Sequence, residues 1–134
     1  MLGEQVGEER GQMSGLRVMR SRGKGQVIEV SFNTSGKLLG VEHNDLGTYQ
    51  SVMRPGGTYY GEGQGMVMAK NGESATWVGN GVGRPKRDGG FSWRGAIYYQ
   101  SESPTLKKLN GVAVLFEHEV DANNNVTNKF WEWK

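Results

Sequence analysis

The densest ionisable cluster in the chain is FEHEVD, residues 116–121, which holds Glu117, His118, Glu119 and Asp121. In an extended segment alternate side chains share a face. Glu117 and Glu119 then fall on one side, and His118 on the other with Val112, Val114 and Phe116. A histidine on an apolar strand face is a candidate buried general base with a shifted pKa; the plainer reading is a satisfied wall residue. The spacing differs from the helical His-Glu-x-x-His of zinc proteases, and with 2 histidines in the chain no metal site is expected. His43, between Glu42 and Asn44 beside a turn, is the weaker candidate.

Glu62 and Arg94 are a second constellation. On neighbouring strands inside a cavity, such a pair would hold a polar substrate or stabilise an enolate. On the outside it would be an ordinary cross-strand ion pair. There is no Gly-x-Ser-x-Gly and no cysteine, so nucleophile-elbow, thiol and disulfide chemistry are excluded. The runs Gly61-x-Gly63-x-Gly65 and Gly79-x-Gly81-x-Gly83 superficially resemble phosphate loops. A dinucleotide fingerprint needs a wider last spacing and a helix after it, and both are missing.

The elements that must position these residues are strands. Period-two alternation dominates, in VIEVSF (27–32), YYGEGQGMVMA (59–69), SATWVGNGVG (74–83), GFSWRGAIYYQ (90–100), LNGVAVLFEHEV (109–120) and NKFWEW (128–133). Shorter strands are expected at 16–20, 37–43 and 46–53, with turns at Ser35-Gly36, Asn44-Asp45, Pro55-Gly56-Gly57, Asn71-Gly72 and Asp88-Gly89-Gly90. The one helix candidate, residues 103–110, is at most two turns. The expected fold is all-β: a closed or nearly closed antiparallel eight-stranded barrel of meander topology, since closure removes edges. A two-sheet sandwich is the competing arrangement. The whole chain, 1–134, reads as one domain, with 1–24 a flexible or edge-strand segment of it.

Asn71-Gly72 between alternating runs signals a two-residue hairpin. That register pairs Met68 with Ala75 and Gly65 with Val78, so that each glycine meets a side chain and never another glycine. Bare glycine tracks suit a sharply bent sheet, or one whose neighbours lay rings across the backbone. Trp93 and Phe91 are expected to reach over the first track. Val78, Asn80 and Val82 are expected on the same interior face as Phe91, Trp93, Ile97 and Tyr99.

Bulk properties narrow the function. The net charge of +2, from 16 basic and 14 acidic residues, gives no nucleic-acid footprint. The basic run RVMRSRGK (17–24) carries no interleaved aromatics. No segment approaches a membrane span, and MLGEQVGEERGQ is polar and acidic, unlike a signal peptide, so the cytoplasm is the expected location. Trp131 and Trp133 share a face of the last strand, where packing is the expected role.

The strand meander, the Gly-x-Gly hairpin, FSWRGAIYYQ and the FEHEVD…WEWK end together make residues 25–134 resemble the small eight-stranded barrels of the allene oxide cyclase type, and more loosely the calycins. The early Gly-x-Trp of lipocalins is missing; the first tryptophan is Trp77. The resemblance implies a closed barrel with an apolar lumen, in a homodimer or homotrimer, whose enzymatic members mainly position a hydrophobic substrate. The expected function is binding of a small hydrophobic molecule in the lumen. The alternatives are a cofactor-free isomerase or cyclase on the same barrel and a structural or interaction protein whose lumen is filled by its own side chains. The expected ligand-binding residues are Trp93, Phe91, Phe116, Val78, Glu62 and Arg94, and the expected catalytic residues are His118, Tyr99 and Asn80. No cofactor, nucleic acid or membrane partner is expected. A pocket of roughly 300 Å³ or more with convergent polar groups would favour binding or catalysis, and a filled lumen the structural role.

Overall fold

A computed structural model of the chain describes residues 2–134 apart from 22 and 24. The strands are β1 (Leu2–Met19), β2 (Val27–Leu38), β3 (Val41–Arg54), β4 (Thr58–Ala69), β5 (Ser74–Pro85), β6 (Phe91–Gln100), β7 (Val114–Val120) and β8 (Asn125–Trp133). Each pairs antiparallel with the next, and β1 pairs with β8, so the meander closes into an eight-stranded barrel. Between β6 and β7 a short 3-10 helix, Leu106–Leu109, buries both of its leucines. Glu73 anchors it, accepting the backbone N–H groups of Thr105 and Leu106 at 2.9 and 3.0 Å.

Closure rests on a strand whose pattern is hidden. Residues Leu2–Met19 are one long strand, bonded to β8 as far as Gln12 and to β2 from Gly7 onward. Its inward positions include Gly7, Glu9 and Gly11, so little apolar alternation marks it. The next two strands also differ from the expected outline. β2 and β3 run unbroken through Ser35-Gly36 and Asn44-Asp45, and the chain reverses at Leu39-Gly40, whose φ angles are 52° and 78°. Positive φ at both central positions is the geometry of a tight two-residue hairpin.

The Asn71-Gly72 hairpin forms, but its register is one residue away from the two-residue expectation. Ala69 donates to the Glu73 carbonyl at 2.8 Å, leaving a three-residue loop with Gly72 at φ 89°. Asn71 explains the choice: its Oδ1 accepts the Glu73 backbone N–H at 2.9 Å, and its Nδ2 donates to the Glu73 carboxylate at 3.1 Å. Met68 therefore faces Ser74, Gly63 faces Gly79 and Gly61 faces Gly81. Glycine does meet glycine, contrary to the simple hairpin register, and both bare tracks point into the barrel. Because strand faces alternate, the same one-residue slip turns Trp77 inward and Val78 outward.

The reason for the bare tracks is aromatic bulk. A Cβ on Gly61 would lie 2.9 Å from the Trp93 ring, and one on Gly83 2.6 Å from it. A Cβ on Gly81 would lie 2.9 Å from Phe116, and one on Gly65 would collide with the Trp77 indole. The inward side chains of β6 supply Trp93, Ile97 and Tyr99 to a core with Phe32, Val67, Trp77, Val114, Val126 and Phe130. Outside, Met66, Met68, Val78, Val82 and Tyr98 stay exposed.

If the tracks exist to seat these rings, Gly65→Ala will lower stability in urea unfolding by about 1–3 kcal/mol, the usual cost of overpacking. Gln64→Ala, on the exposed outer face, will change it by less than about 0.5 kcal/mol. Equal effects of the two substitutions would contradict the packing role.

Candidate functional site

The barrel interior contains a buried polar network centred on Glu9. Its side chain is solvent-inaccessible, as is that of His43, whose Nε2 lies 2.5 Å from Glu9 Oε2. Thr34 Oγ1 donates to Glu9 Oε1 at 3.0 Å, and Asn128 Nδ2 donates to the same oxygen at 2.9 Å. Asp45 hydrogen-bonds to Glu9 as well, and accepts the Trp77 indole N–H at 2.8 Å. These partners come from β1, β2, β3, β5 and β8, so one carboxylate ties much of the barrel together.

Electrostatics assign the protons. Burial pushes Glu9 up, but the hydrogen bonds from His43, Asp45 and Asn128, with the His43 charge, outweigh it and hold the carboxyl below its ordinary range. Burial pulls His43 down, but the bond to Glu9 and its charge win and raise it. Asp45 is pushed well up by burial, the Glu9 charge and the Glu9 hydrogen bond, the Trp77 bond opposing. The consistent state is an ionised Glu9, a protonated His43 and a neutral Asp45 that donates its proton to Glu9.

Asn128 carries the network onward. Its Nδ2 is committed to Glu9, so its Oδ1 faces His118 Nδ1 at 2.5 Å as an acceptor. That fixes the proton on Nδ1 and leaves the Nε2 lone pair toward the Tyr49 hydroxyl at 3.3 Å. Burial lowers the His118 pKa, outweighing the Asn128 bond and the Glu9 and Glu119 charges, so the ring is neutral. Burial also pushes the Tyr49 hydroxyl well up, so it remains a donor.

His118 and Tyr49 form a polar corner of a cavity of about 60 Å³. Gly61, Gly63, Gly79 and Gly81 make one side of it, and Phe32, Trp77, Trp93, Ile97, Phe116 and Phe130 supply apolar walls. Tyr49 packs edge-on to Trp93 and to His118, with ring centroids 5.4 and 5.5 Å apart. The lumen is therefore mostly filled, and far smaller than the roughly 300 Å³ of a drug-sized site.

The residues singled out from sequence separate into groups. His118, Trp93 and Phe116 meet at the cavity. Phe91 lies outside the cavity lining, half-buried and edge-on to Tyr59 at 5.1 Å. Tyr99 is buried near Glu9 and Asp45, outside the cavity lining, and its hydroxyl has no partner among the described residues. Val78 is 58% exposed on the outer face. Glu62 and Asn80 border the cavity wall but are themselves exposed. Arg94 does not pair with Glu62; it donates to Glu119 at 2.5 Å and lies 3.7 Å from Glu117. Glu9, Tyr49 and Asn128 were missed, and His43 was undervalued. An unbroken β3 would have placed His43, Asp45, Gly47 and Tyr49 on one face; Glu9 and Asn128 carried no comparable signal.

Among the described residues, no group of three or more acidic or histidine side chains is arranged to hold a metal ion, and no helix is long and apolar enough to cross a membrane. No protein-family model matches the chain, and no curated protein matches it. Solved structures do match over nearly the whole length. A β-barrel-like protein from Acinetobacter baumannii aligns with TM-score 0.82 at 9% identity, over 100% of this chain and 96% of its own. A conserved protein of unknown function from Rhodopseudomonas palustris aligns with TM-score 0.81 at 12% identity, over 98% and 97%. A protein of unknown function from Clostridium acetobutylicum aligns with TM-score 0.76 at 17% identity, over 98% of each chain. At these identities the likeness shows the fold: a closed barrel shared with proteins of unknown function.

The two histidines are predicted to titrate on opposite sides of the usual value near 6.5, His43 above and His118 below, when their ring carbons are followed by NMR. The stability signs follow. The His43 contribution is complete below pH ~6.5 and is lost as pH rises through its raised folded pKa. The His118 contribution is present above ~6.5 and is lost as pH falls through its lowered one. Coincident titration of the two would contradict the proton assignment.

Tyr99→Phe removes an unpartnered buried hydroxyl and is expected to leave unfolding free energy unchanged or raise it by about 1 kcal/mol. A loss above about 1 kcal/mol would mean that the hydroxyl is bonded.

Proposed function

We propose that the chain binds a small, mostly apolar molecule in its lumen, with one hydrogen-bonding group of the ligand at Tyr49 Oη and His118 Nε2. The observation that carries this reading is the 60 Å³ cavity, with apolar walls and one polar corner. An apolar enclosure with few placed polar groups is the general form of a small-molecule site. Size sets the ligand class. A water-sized group needs about 10–15 Å³ of such volume, so this cavity suits about four to six non-hydrogen atoms. Millimolar affinity is the expectation for so few atoms.

The same volume favours a second reading, in which the rings fill the barrel and the protein acts through its outer surface. Acetone and 2-butanone separate the two. On the first reading, titration of either shifts the resonances of Trp93, Phe116 and His118 and leaves those of Val78 and Val82 in place. Cyclohexanone binds only after Phe116→Ala enlarges the lumen. No lumen-specific shift from either small ketone at tens of millimolar would overturn ligand binding and leave the filled barrel.

A further inference from the structure

We propose that His118 is a general base toward small ketones held in the lumen, removing a proton from the carbon beside the carbonyl while Tyr49 donates a hydrogen bond to the carbonyl oxygen. This rests on the lumen-binding reading and adds an activity to it.

Three features of the geometry point to this activity. The first is a fixed tautomer. Glu9 Oε1 accepts one Asn128 N–H, so the Asn128 carbonyl oxygen meets His118 Nδ1 at 2.5 Å and can only accept. The nitrogen with the free lone pair is therefore Nε2, and His118 lines the cavity. The second is a release mechanism. In the free protein Tyr49 Oη lies 3.3 Å from Nε2, a long bond. Rotation of the hydroxyl hydrogen about the Cζ–Oη bond redirects it to a ligand carbonyl and frees the lone pair of its hydrogen bond. The third is charge compensation. Once Nε2 gains a proton, the imidazolium is bonded through Nδ1–H to the Asn128 carbonyl, and Asn128 is bonded to the Glu9 carboxylate. A neutral ring at neutral pH is the form the base requires.

The step balances within the site. The α C–H bond breaks, its proton passes to His118 Nε2, and its electron pair forms the C=C of an enolate. The negative charge gathers on oxygen, facing the Tyr49 O–H, which keeps its proton. The proton on Nε2 exchanges with solvent, and its return to carbon restores the ketone, carrying deuterium when the solvent is D₂O. His118 and Tyr49 are the groups that touch the ligand; Asn128 and Glu9 are positioning residues.

Acetone in D₂O tests this directly. Wild-type protein is expected to replace methyl protons by deuterium on the order of a hundredfold faster than an equal concentration of imidazole at the same pH, as read by loss of the acetone proton signal. His118→Gln should abolish the acceleration, and Tyr49→Phe should reduce it at least about tenfold. The ¹⁵N shifts of the wild-type His118 ring, which need no substitution, should show a protonated Nδ1 and a bare Nε2. Lumen shifts on acetone addition without accelerated exchange would overturn the base and leave the binding site. Absence of those shifts would overturn both. Exchange that survives in folded His118→Gln, or a ring protonated at Nε2, would also overturn the assignment.

Discussion

A carboxylate inside an apolar lumen stays ionised only if donors surround it, and Glu9 is surrounded. His43, Thr34, Asn128 and the proton of Asp45 all converge on its two oxygens. Left unpaired, such a charge costs several kcal/mol; fully bonded, it holds its partners in one arrangement. Here the partners come from strands far apart in sequence, including β1 and β8, the two that close the barrel. The network therefore links the closure of the fold to the orientation of His118 at the cavity.

That link explains why the fold was more legible in the sequence than the site. The meander from VIEVSF to WEWK announces itself by alternation, and β6 places Trp93, Ile97 and Tyr99 inside as its pattern indicates. The first strand gives little such sign, because its inward run Gly7, Glu9 and Gly11 carries no apolar side chain before Met13. The hairpin at Asn71-Gly72 was recognisable, but its loop length was not. The Asn71 side chain captures the Glu73 backbone and selects a three-residue loop, and one residue of slip inverts the faces of β5. Val78 and Asn80 go outward for that reason alone. Arg94 faces out on β6 and finds its acids on β7 instead of Glu62.

The glycine tracks and the small cavity are two consequences of one packing problem. A barrel of this strand number is just wide enough to be filled by side chains. Placing Trp77, Trp93 and Phe116 inside it requires facing walls without Cβ atoms, and β4 and β5 supply them. The rings cover most of the vacated space, and the remainder lies against His118 and Tyr49. The site is thus a gap in aromatic packing with a single hydrogen-bonding corner, whose orientation descends through Asn128 from Glu9.

The most direct measurement of this account is the behaviour of Glu9→Gln, which keeps the side-chain shape and removes the charge. Urea unfolding should show a loss of about 3–5 kcal/mol, the cost of stranding a buried partner. The His43 ring should then titrate below its ordinary value, since burial remains and the attracting charge is gone. Stability within about 0.5 kcal/mol of wild type, together with an unchanged His43 titration, would show that neither barrel closure nor the polar corner depends on this carboxylate.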